Sequence, residues 1–508
     1  MYGTFWALVP PIIAIVLALI TKEAYLSLFI GVLCGALFSV DFSPVATIDT
    51  MIKDGFISAI ESNAGIFFFL ILLGIIVALV NHAGGSAAFG RWAEKHIKTR
   101  VGAMLATFVL GILIFIDDYF NCLTVGSVMK PVTDRHRVSR AKLAYLIDAT
   151  AAPICMIAPI SSWAAAVSGV AADLDSDITG IQLFIRAIPY NFYSLMTFVF
   201  IIALCLMKFD FGSMRIHEMS AQLNGDLGGV EKEDDAPAAS RGKVIDLVLP
   251  VLILIVSCTV GMIYVGGFFG VDAWGGKDFA GDFICAFGNT DAFIGLPWGG
   301  VIALVLITVY LVARRVISFK DAMACIPKGF TSMVPPIIIL TLAVSLKNMT
   351  GALGAAEFVA SVMKGAASGL YYMLPAVIFV VACGLAFASG TSWGTFGILI
   401  PIVTAIFPAS SELLIIGISA CCAGAVCGDH CSPISDTTIM ASAGASVDHI
   451  KHVSTQLPYA VTVASISFVT YIFAGFVQNA VFSLSFGTVV TVGALFAIRA
   501  VTAKRAKA

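Results

Sequence analysis

The feature that most constrains this chain is the recurrence of apolar runs about as long as a membrane is thick. Such runs occupy residues 4–20, 24–40, 64–82, 184–207, 244–265, 296–313, 334–347, 457–480 and 483–499. Charged residues are only 12% of the sequence, about half the share in soluble domains, so a soluble globule is excluded. Because roughly 20 apolar residues cross a bilayer as one helix, we expect an all-α polytopic membrane protein with about 11 full spans.

One apolar run contains charged residues that a membrane helix normally excludes. The stretch Cys427–Ser442 reads CGDHCSPISDTTIMAS and carries Asp429, His430 and Asp436, with Pro433 between the two carboxylates. A charge at the bilayer centre costs about 2.5–3.5 kcal/mol on insertion scales, so it is rare without a function. Proline removes a backbone donor and disfavours helix at the residue before it. The sequence therefore predicts a helix that stops, unwinds around a polar pocket and restarts.

A second polar interruption occurs in the first half of the chain. Basic clusters at residues 91–100 and 135–142 place both ends of the intervening apolar stretch in the cytoplasm by the positive-inside rule. Residues 101–131 must then enter and leave on one side, as a re-entrant helical hairpin whose arms are too short to cross comfortably. Its tip, FIDDYFN, carries the candidate site residues Asp117, Asp118 and Asn121.

Two further irregular segments complete the pattern. Residues 139–170 place Asp148 ahead of two prolines, which predicts a broken transmembrane helix. Residues 370–408 have flanks poor in lysine and arginine, so we expect a second hairpin that enters from outside. The second broken helix then covers residues 412–446. The tip of the second hairpin carries Ser389, Thr391 and Ser392.

The chain divides into two similar halves. The polar, Gly- and acid-containing stretch 208–243 predicts a flexible cytoplasmic linker between a first repeat, 1–207, and a second, 244–508. PICMIAPISS and PISDTTIMAS are one of four short matches that recur in the same order. The charge pattern indicates that the repeats are inverted, with the N-terminus outside and the C-terminus cytoplasmic. Inverted repeats with broken helices are typical of secondary transporters.

These four interruptions supply oxygen atoms that suit a hard cation. Sodium needs several oxygen ligands to replace its water shell, and unwound carbonyls add to the side chains. A buried carboxylate holds either a proton or a cation, so we expect Asp429 or Asp436 to be the shared carrier. Asp429, Asp436 and Asp148 are the candidate sodium ligands. The other candidate binding residues are Asp117, Asp118, Asn121, Ser389, Thr391, Ser392, His430, Ser432, Ser435 and Thr437.

Structural interpretations of the same residues are open. Asp117 and Asp118 are also suited to cap the second hairpin helix, and Asp148 to pair with Lys142 or another basic group as a buried ion pair. His430 is as well suited to packing as to ligation. The hydroxyls at the second hairpin tip suit small-residue packing, and Trp163 and Trp393 suit packing or interface anchoring. His449 and His452 lie beside Lys451 in a short cytoplasmic loop and are expected on a solvated face, with pH sensing as the alternative. A zinc site is disfavoured because too few ligands lie near Cys427, His430 and Cys431.

The chain resembles the NhaC-type sodium/proton antiporter family of the ion transporter superfamily. The similarity rests on GDHCSPISDTT (428–438), SRAKLAYLIDATAAPI (139–154) and GTSWGTFGILIPI (390–402). The resemblance implies a bacterial inner-membrane secondary transporter with two hairpins and two broken helices, often dimeric and moving one part like an elevator. It also implies a mixed substrate range, because relatives exchange malate with lactate and others carry amino acids.

We therefore expect sodium/proton antiport with alternating access, in the bilayer of the bacterial inner membrane. The alternative is sodium- or proton-coupled transport of a small organic acid or amino acid. A basic group at the site would favour an organic acid, and Lys347 is the near candidate, at a helix end from which it can reach outward. We expect no cofactor other than the transported sodium ion, no enzymatic activity, no nucleic acid, and a homodimer. An intramembrane aspartyl protease is disfavoured because its acids lie on continuous helices.

Overall fold

The structure, a computed structural model, describes most of the chain. The described residues are 1–21, 23–115, 118–158, 161, 163–164, 167, 180–230, 242–271, 275, 279–355, 357–358, 361, 371–408 and 410–505. The regular secondary structure within these ranges is helical. The expected all-α fold class is therefore confirmed.

The helices of the first half begin with a short 3-10 turn at Phe5–Leu8. They are α1 (Val9–Thr21), α2 (Ala24–Ser39), α3 (Pro44–Thr50), α4 (Ser58–His82), α5 (Gly85–His96), α6 (Arg100–Leu113), α7 (Asp118–Arg135), α8 (Arg140–Cys155), α9 (Gly180–Ala187), α10 (Phe192–Met207) and α11 (Gly212–Asn224). A π-helical turn, Met51–Ile57, joins α3 to α4 so that the two form one long rod.

The second half repeats several of these elements in the same order. Its helices are α12 (Ile245–Val265), α13 (Phe283–Gly288), α14 (Ala292–Ala313), α15 (Phe319–Ala352), α16 (Leu374–Ser389), α17 (Ser392–Ile406), α18 (Glu412–Cys431), α19 (Asp436–Ala445), α20 (His449–Val477) and α21 (Ala480–Arg505). The paired helices α6 and α7, followed by α8, thus have their counterpart in α16 and α17, followed by α18.

Eight helical stretches in the described ranges are long and apolar enough to cross a membrane. The predicted spans at 4–20 and 24–40 contain shorter apolar helices, of 10–17 residues. The protein is therefore a multi-pass membrane protein, and the expected number of spans remains a prediction.

Both expected hairpins are pairs of short helices separated by a break. Helices α6 and α7, 14 and 18 residues long, lie on either side of residues 114–117. Helices α16 and α17, 16 and 15 residues long, are separated by Gly390 and Thr391. The Thr99 hydroxyl accepts a hydrogen bond from the Gly102 N–H, 3.0 Å away, and so caps α6.

The two broken helices lie at the centre of the molecule. Every residue of α8 from Ala141 to Cys155 is buried, and the whole of α18 within its spanning window is buried as well. A helix that is buried all round must have packing partners on every face. Helix α8 contributes Leu146 and Ala149 to one hydrophobic cluster and Leu143 and Ile147 to another, so it joins the two cores of the fold.

The two halves are packed together through an unusually close helix contact. A Cβ atom added to Gly126 of α7 would stand 2.6 Å from the Cα atom of Gly444 in α19. Small residues allow helix backbones to approach in this way inside membranes. The first hairpin therefore packs directly on the second half's broken helix.

The first part of the expected flexible linker forms a helix. Residues Gly212–Asn224 form α11, in which Met214, Glu218 and Ala221 are buried against the protein. The Ser139 N–H donates to the Glu218 carboxylate at 2.8 Å, and Arg100 also pairs with Glu218. The composition of this stretch concealed the amphipathic helix, whose buried positions are separated by four and three residues. Residues 231–241 lie outside the described ranges.

Candidate functional site

The expected break in the second broken helix lies between Cys431 and Asp436. Asp429 and His430 lie in the last turn of α18, whereas Asp436 and Thr437 begin α19. The Ser435 hydroxyl accepts from the Thr438 N–H at 3.2 Å and caps α19. The two acids are thus on regular helix ends, and the unwound segment between them supplies serines and carbonyls.

Asp429 is buried at 1% exposure and is held by hydroxyl groups from two elements. Its Oδ2 atom accepts from Ser392 Oγ at 3.0 Å and from Thr437 Oγ1 at 3.3 Å. Its Oδ1 atom has no hydrogen-bond partner among the described residues. The carbonyls at a helix C-terminus carry partial negative charge. Asp429 is therefore more stable here with a bound proton or cation than as a bare carboxylate.

Asp436 lies across the break and is bound by the first hairpin. The Tyr119 hydroxyl donates to Asp436 Oδ2 at 2.6 Å, and the Thr437 N–H donates to Asp436 Oδ1 at 2.8 Å. Thr437 therefore contacts both carboxylates. Asp436 is close enough for its charge to act on Asp429. Two acids so placed, Asp429 buried and Asp436 half-buried, share a site in which like charges repel each other.

The tip of the second hairpin packs against this break. Gly390 has a φ of +65°, and an added Cβ would stand 2.5 Å from the Ile434 carbonyl oxygen. The Thr391 hydroxyl caps α17 by accepting from the Gly394 N–H at 3.3 Å. The Ser432 hydroxyl donates to the Phe387 carbonyl at 2.8 Å, which ties the break to α16. The Ser389 hydroxyl oxygen is buried and has no hydrogen-bond partner among the described residues.

The residues of the first hairpin tip have mixed roles. The Asn121 side-chain amide donates to the carbonyls of Gly111 and Ile114, both at 2.7 Å, and so satisfies the end of α6. Asp118 is buried in the first turn of α7, where it accepts from the Tyr119 N–H at 3.2 Å. Asp117 lies outside the described residues. For Asn121 the contacts are those of a helix cap.

Asp148 lies in regular helix, in the middle of α8, and belongs to a separate buried network. Its Oδ2 atom accepts from Gln456 Nε2 at 2.6 Å and lies 3.2 Å from His452 Nε2. His430 Nε2 is 3.6 Å from Asp148 Oδ1, and Gln456 Nε2 also donates to the His430 carbonyl at 2.7 Å. The Tyr193 hydroxyl lies 3.0 Å from His430 Nδ1. This network reaches the residue next to Asp429.

The structure decides two of the open interpretations of this region. Asp148 does not pair with Lys142, because Lys142 Nζ binds Asp210 at 2.6 Å. Its neighbours are other basic side chains, His452 at 3.2 Å and His430 at 3.6 Å. His449 and His452 do not lie on a solvated face, since they are only 8% and 0% exposed. Their positions at the start of α20 turn both side chains into the protein.

His449 links the two parts of the broken helix. One ring nitrogen, Nε2, lies 2.7 Å from the Pro433 carbonyl, and the other lies 3.1 Å from the Ser442 hydroxyl. The unwound backbone at Pro433 is thereby satisfied inside the protein, as membrane-buried irregular backbone must be.

The three proposed sodium ligands do not form one three-acid cluster. No group of three or more His, Cys, Asp or Glu side chains able to hold a metal occurs in the described ranges. Asp148 is engaged by His452 and Gln456, whereas Asp429 and Asp436 flank the break. Serine and threonine oxygens, together with these two acids, are the groups available there for a cation.

Two other candidate groups lie beside the second hairpin. The Cε atom of Lys347 would be 3.6 Å from a Cβ on Gly394, and the lysine charge acts on Asp436. The rings of Trp163 and Trp393 meet edge to face at 6.0 Å, in the packing arrangement that aromatic pairs prefer.

Several residues of this region were not singled out as site residues by the sequence reasoning. Tyr119, Tyr193 and Gln456 bind the acids or His430 through side chains that are remote in sequence. The available signal was polarity: Gln456 is an amide near the start of an apolar helix, and Tyr119 stands beside the paired aspartates of the hairpin tip.

Acids at the ends of an interrupted helix, joined by two helical hairpins in a multi-pass bundle, define a secondary transporter. A model of the Na+/H+ antiporter family matches residues 154–476. The chain belongs to the Na+/H+ antiporter family, which confirms the resemblance drawn from its motifs.

Individual relatives cover different shares of the chain. A protein of Haemophilus influenzae, described as an uncharacterized protein, is 37% identical over 511 residues, covering 98% of this chain and 96% of the relative. The malate-2H(+)/Na(+)-lactate antiporter of Bacillus subtilis is 28% identical over 166 residues, 32% of this chain and 34% of the relative. The crystal structure of the Alcanivorax borkumensis YdaH transporter has a TM-score of 0.36 and 12% identity, covering 84% of this chain and 88% of that one.

Proposed function

We propose that this protein exchanges sodium ions for protons at the site formed by Asp429 and Asp436. The observation that carries the proposal is the setting of Asp429: buried at a helix C-terminus, with hydroxyls on one oxygen and no hydrogen bond on the other within the described chain. A proton or a sodium ion would each neutralise this carboxylate, and burial of the bare charge is unfavourable.

The surrounding oxygens suit sodium as the alternative to the proton. The hydroxyls of Ser435, in the break, and Thr437, in the first turn of α19, are 3.1 Å apart, and Ser392 adds a third hydroxyl from the second hairpin. Hard cations prefer such hydroxyl, carbonyl and carboxylate ligands. Competition between the two ions for the same carboxylates couples their movement in opposite directions.

Contacts from both hairpins give a route to alternating access. The first hairpin holds Asp436 through Tyr119, and the second holds Asp429 through Ser392. Withdrawal of one hairpin would release one carboxylate while the other stays covered. We propose that the transporter opens to the two sides by moving these hairpins relative to the broken helix.

The test is transport in proteoliposomes that contain a pH-sensitive dye. Sodium addition alone should move protons in the wild type, and Asp429→Asn should abolish that movement. The matched control is Asp321→Asn, an exposed acid at the start of α15 whose carboxylate accepts from Ser318. Retention of full sodium-driven proton flux by both Asp429→Asn and Asp436→Asn would eliminate the proposal.

A second candidate function is exchange of a small organic anion, coupled to sodium or protons. Two observations favour it: Lys347 stands beside the second hairpin tip with its charge acting on Asp436, and one relative is a malate-2H(+)/Na(+)-lactate antiporter. The same assay with potassium, malate, lactate and amino acids separates the two. A dye response that requires an organic solute and is lost in Lys347→Gln supports this alternative.

We further propose residence in the bacterial inner membrane, with the N-terminus outside, the C-terminus cytoplasmic, and a homodimeric assembly. The basic residues around the first hairpin and at the end of α21 support this orientation. Labelling of single cysteines introduced at the two termini, in intact and in lysed cells, tests it. Labelling of the C-terminal cysteine in intact cells would contradict the orientation.

A further inference from the structure

A cavity that shares no described lining residue with the acidic site opens where α10 and α21 end. Its volume is about 540 Å³, within the range of pockets that hold small ligands. Helix α11 forms one wall with Arg215, Glu218, Met219 and Gln222, and the last turns of α21 form another. Its charged lining consists of Arg100, Lys208, Arg215, Arg499, Asp210 and Glu218.

The two acids of this cavity are already neutralised inside the protein. Asp210 binds Lys142 Nζ at 2.6 Å and accepts from the Tyr459 hydroxyl at 2.6 Å. Glu218 pairs with Arg100. Lys208, Arg215 and Arg499 have no ion pair or side-chain hydrogen bond among the described residues. The cavity therefore has an excess of positive charge that no described acidic side chain balances.

Exposed apolar side chains border the same cavity. Ile216, Met219 and Leu223 of α11 are 69%, 46% and 74% exposed. Their spacing of three and four residues places them in one stripe, opposite the buried face of the helix. Leu206, two residues before Lys208, is 61% exposed at the end of α10. A helix with one apolar and one polar face at the end of membrane spans is typical of the bilayer interface.

We propose that this cavity binds the headgroup of an anionic phospholipid. The phosphodiester would lie among Lys208, Arg215 and Arg499, and the acyl chains would leave along the apolar surface of α10 and α11. Arginine and lysine are strong donors to phosphate oxygens, and basic pockets between transmembrane helices recognise anionic headgroups. The apolar border favours a lipid over a free anion, because a soluble ligand would leave these side chains in water.

The test is lipid binding by native mass spectrometry of the full chain in neutral detergent. Phosphatidylglycerol, phosphatidylcholine and inorganic phosphate are the three probes. We expect the wild type to retain phosphatidylglycerol in preference to phosphatidylcholine. Each basic residue near an anionic lipid surface contributes about five-fold in affinity. Lys208→Gln combined with Arg215→Gln should therefore weaken phosphatidylglycerol binding about thirty-fold.

Matched variants separate the site from general surface charge. Lys320→Gln, at an exposed position in the first turn of α15, should leave phosphatidylglycerol binding unchanged. Arg499→Gln, from a different helix, should weaken it about five-fold and guards against a folding defect of the double variant. Equal retention of both lipids, equal weakening by Lys320→Gln, or displacement of the lipid by millimolar inorganic phosphate would each overturn the proposal. None of these readouts depends on transport.

Discussion

Gln456 offers the sharpest test of the buried network beside the site, because one amide group joins two of its parts. Its Nε2 atom donates to the Asp148 carboxylate at 2.6 Å and to the His430 carbonyl at 2.7 Å. Gln456→Leu retains most of the volume and removes both bonds. A hydrogen bond to a charged group contributes about 1.5–3 kcal/mol and a neutral one about 0.5–1.5. We expect a loss of roughly 2–4.5 kcal/mol in the free energy of unfolding.

A double-mutant cycle shows whether the charge of Asp148 carries this effect. In an Asp148→Asn background the stronger bond becomes a neutral one, so Gln456→Leu should destabilise by about 1–3 kcal/mol, roughly 1–1.5 kcal/mol less than in the wild type. The assay is reversible denaturation in mixed detergent micelles, followed by circular dichroism. Ser465→Ala is the control, because its exposed hydroxyl bonds only to its own helix at Val461. Equal effects of Gln456→Leu in both backgrounds would refute the charge-assisted bond.

Three further predictions test other contacts. Tyr119→Phe removes the donor to Asp436 and should lower sodium-driven proton flux in proteoliposomes about ten-fold or more. An unchanged sodium KM and turnover would show that the first hairpin does not contribute to the site. Gly390→Ala adds a side chain at positive φ against the Ile434 carbonyl and should lower the free energy of unfolding by about 1–3 kcal/mol in the denaturation assay. An unchanged free energy of unfolding would show that the hairpin tip shifts to make room. Lys142→Met should lower the free energy of unfolding by about 3–5 kcal/mol, because it leaves the charge of Asp210 without its partner. Adding Asp210→Asn should recover part of that loss. No recovery would contradict a buried ion pair.

Substitutions at the contact between α7 and α19 are expected to affect the acidic site although they lie away from the acids. Gly126 and Gly444 bring α7 and α19 into backbone contact, and Cys122 donates weakly to the Thr437 carbonyl at 3.7 Å. The first hairpin is therefore held against the same helix that carries Asp436. A larger side chain at Gly126 must separate the two elements, and with them Tyr119 from Asp436.

Local sequence patterns predicted the helical class, the two hairpins and the broken helix at Pro433, because each depends on hydrophobicity, proline and charge within a short window. The same patterns pointed to Asp429 and Asp436, since acids within apolar runs are conspicuous. They were wrong about a solvated face for His449 and His452, and they did not detect the helix at Gly212–Asn224. Both errors concern contacts between segments distant in the chain.

What the sequence by itself determined was therefore which segments enter a membrane as helices, where those helices are interrupted, and which acids stand at the interruptions. Only the tertiary structure decided the contacts of those acids: Tyr119 with Asp436, Ser392 with Asp429, and Gln456 with Asp148. The physical reason is that helix formation in an apolar solvent satisfies backbone groups locally. A buried side chain, in contrast, finds its hydrogen-bond partner on whichever helix packs against it, and that depends on the arrangement of the whole chain.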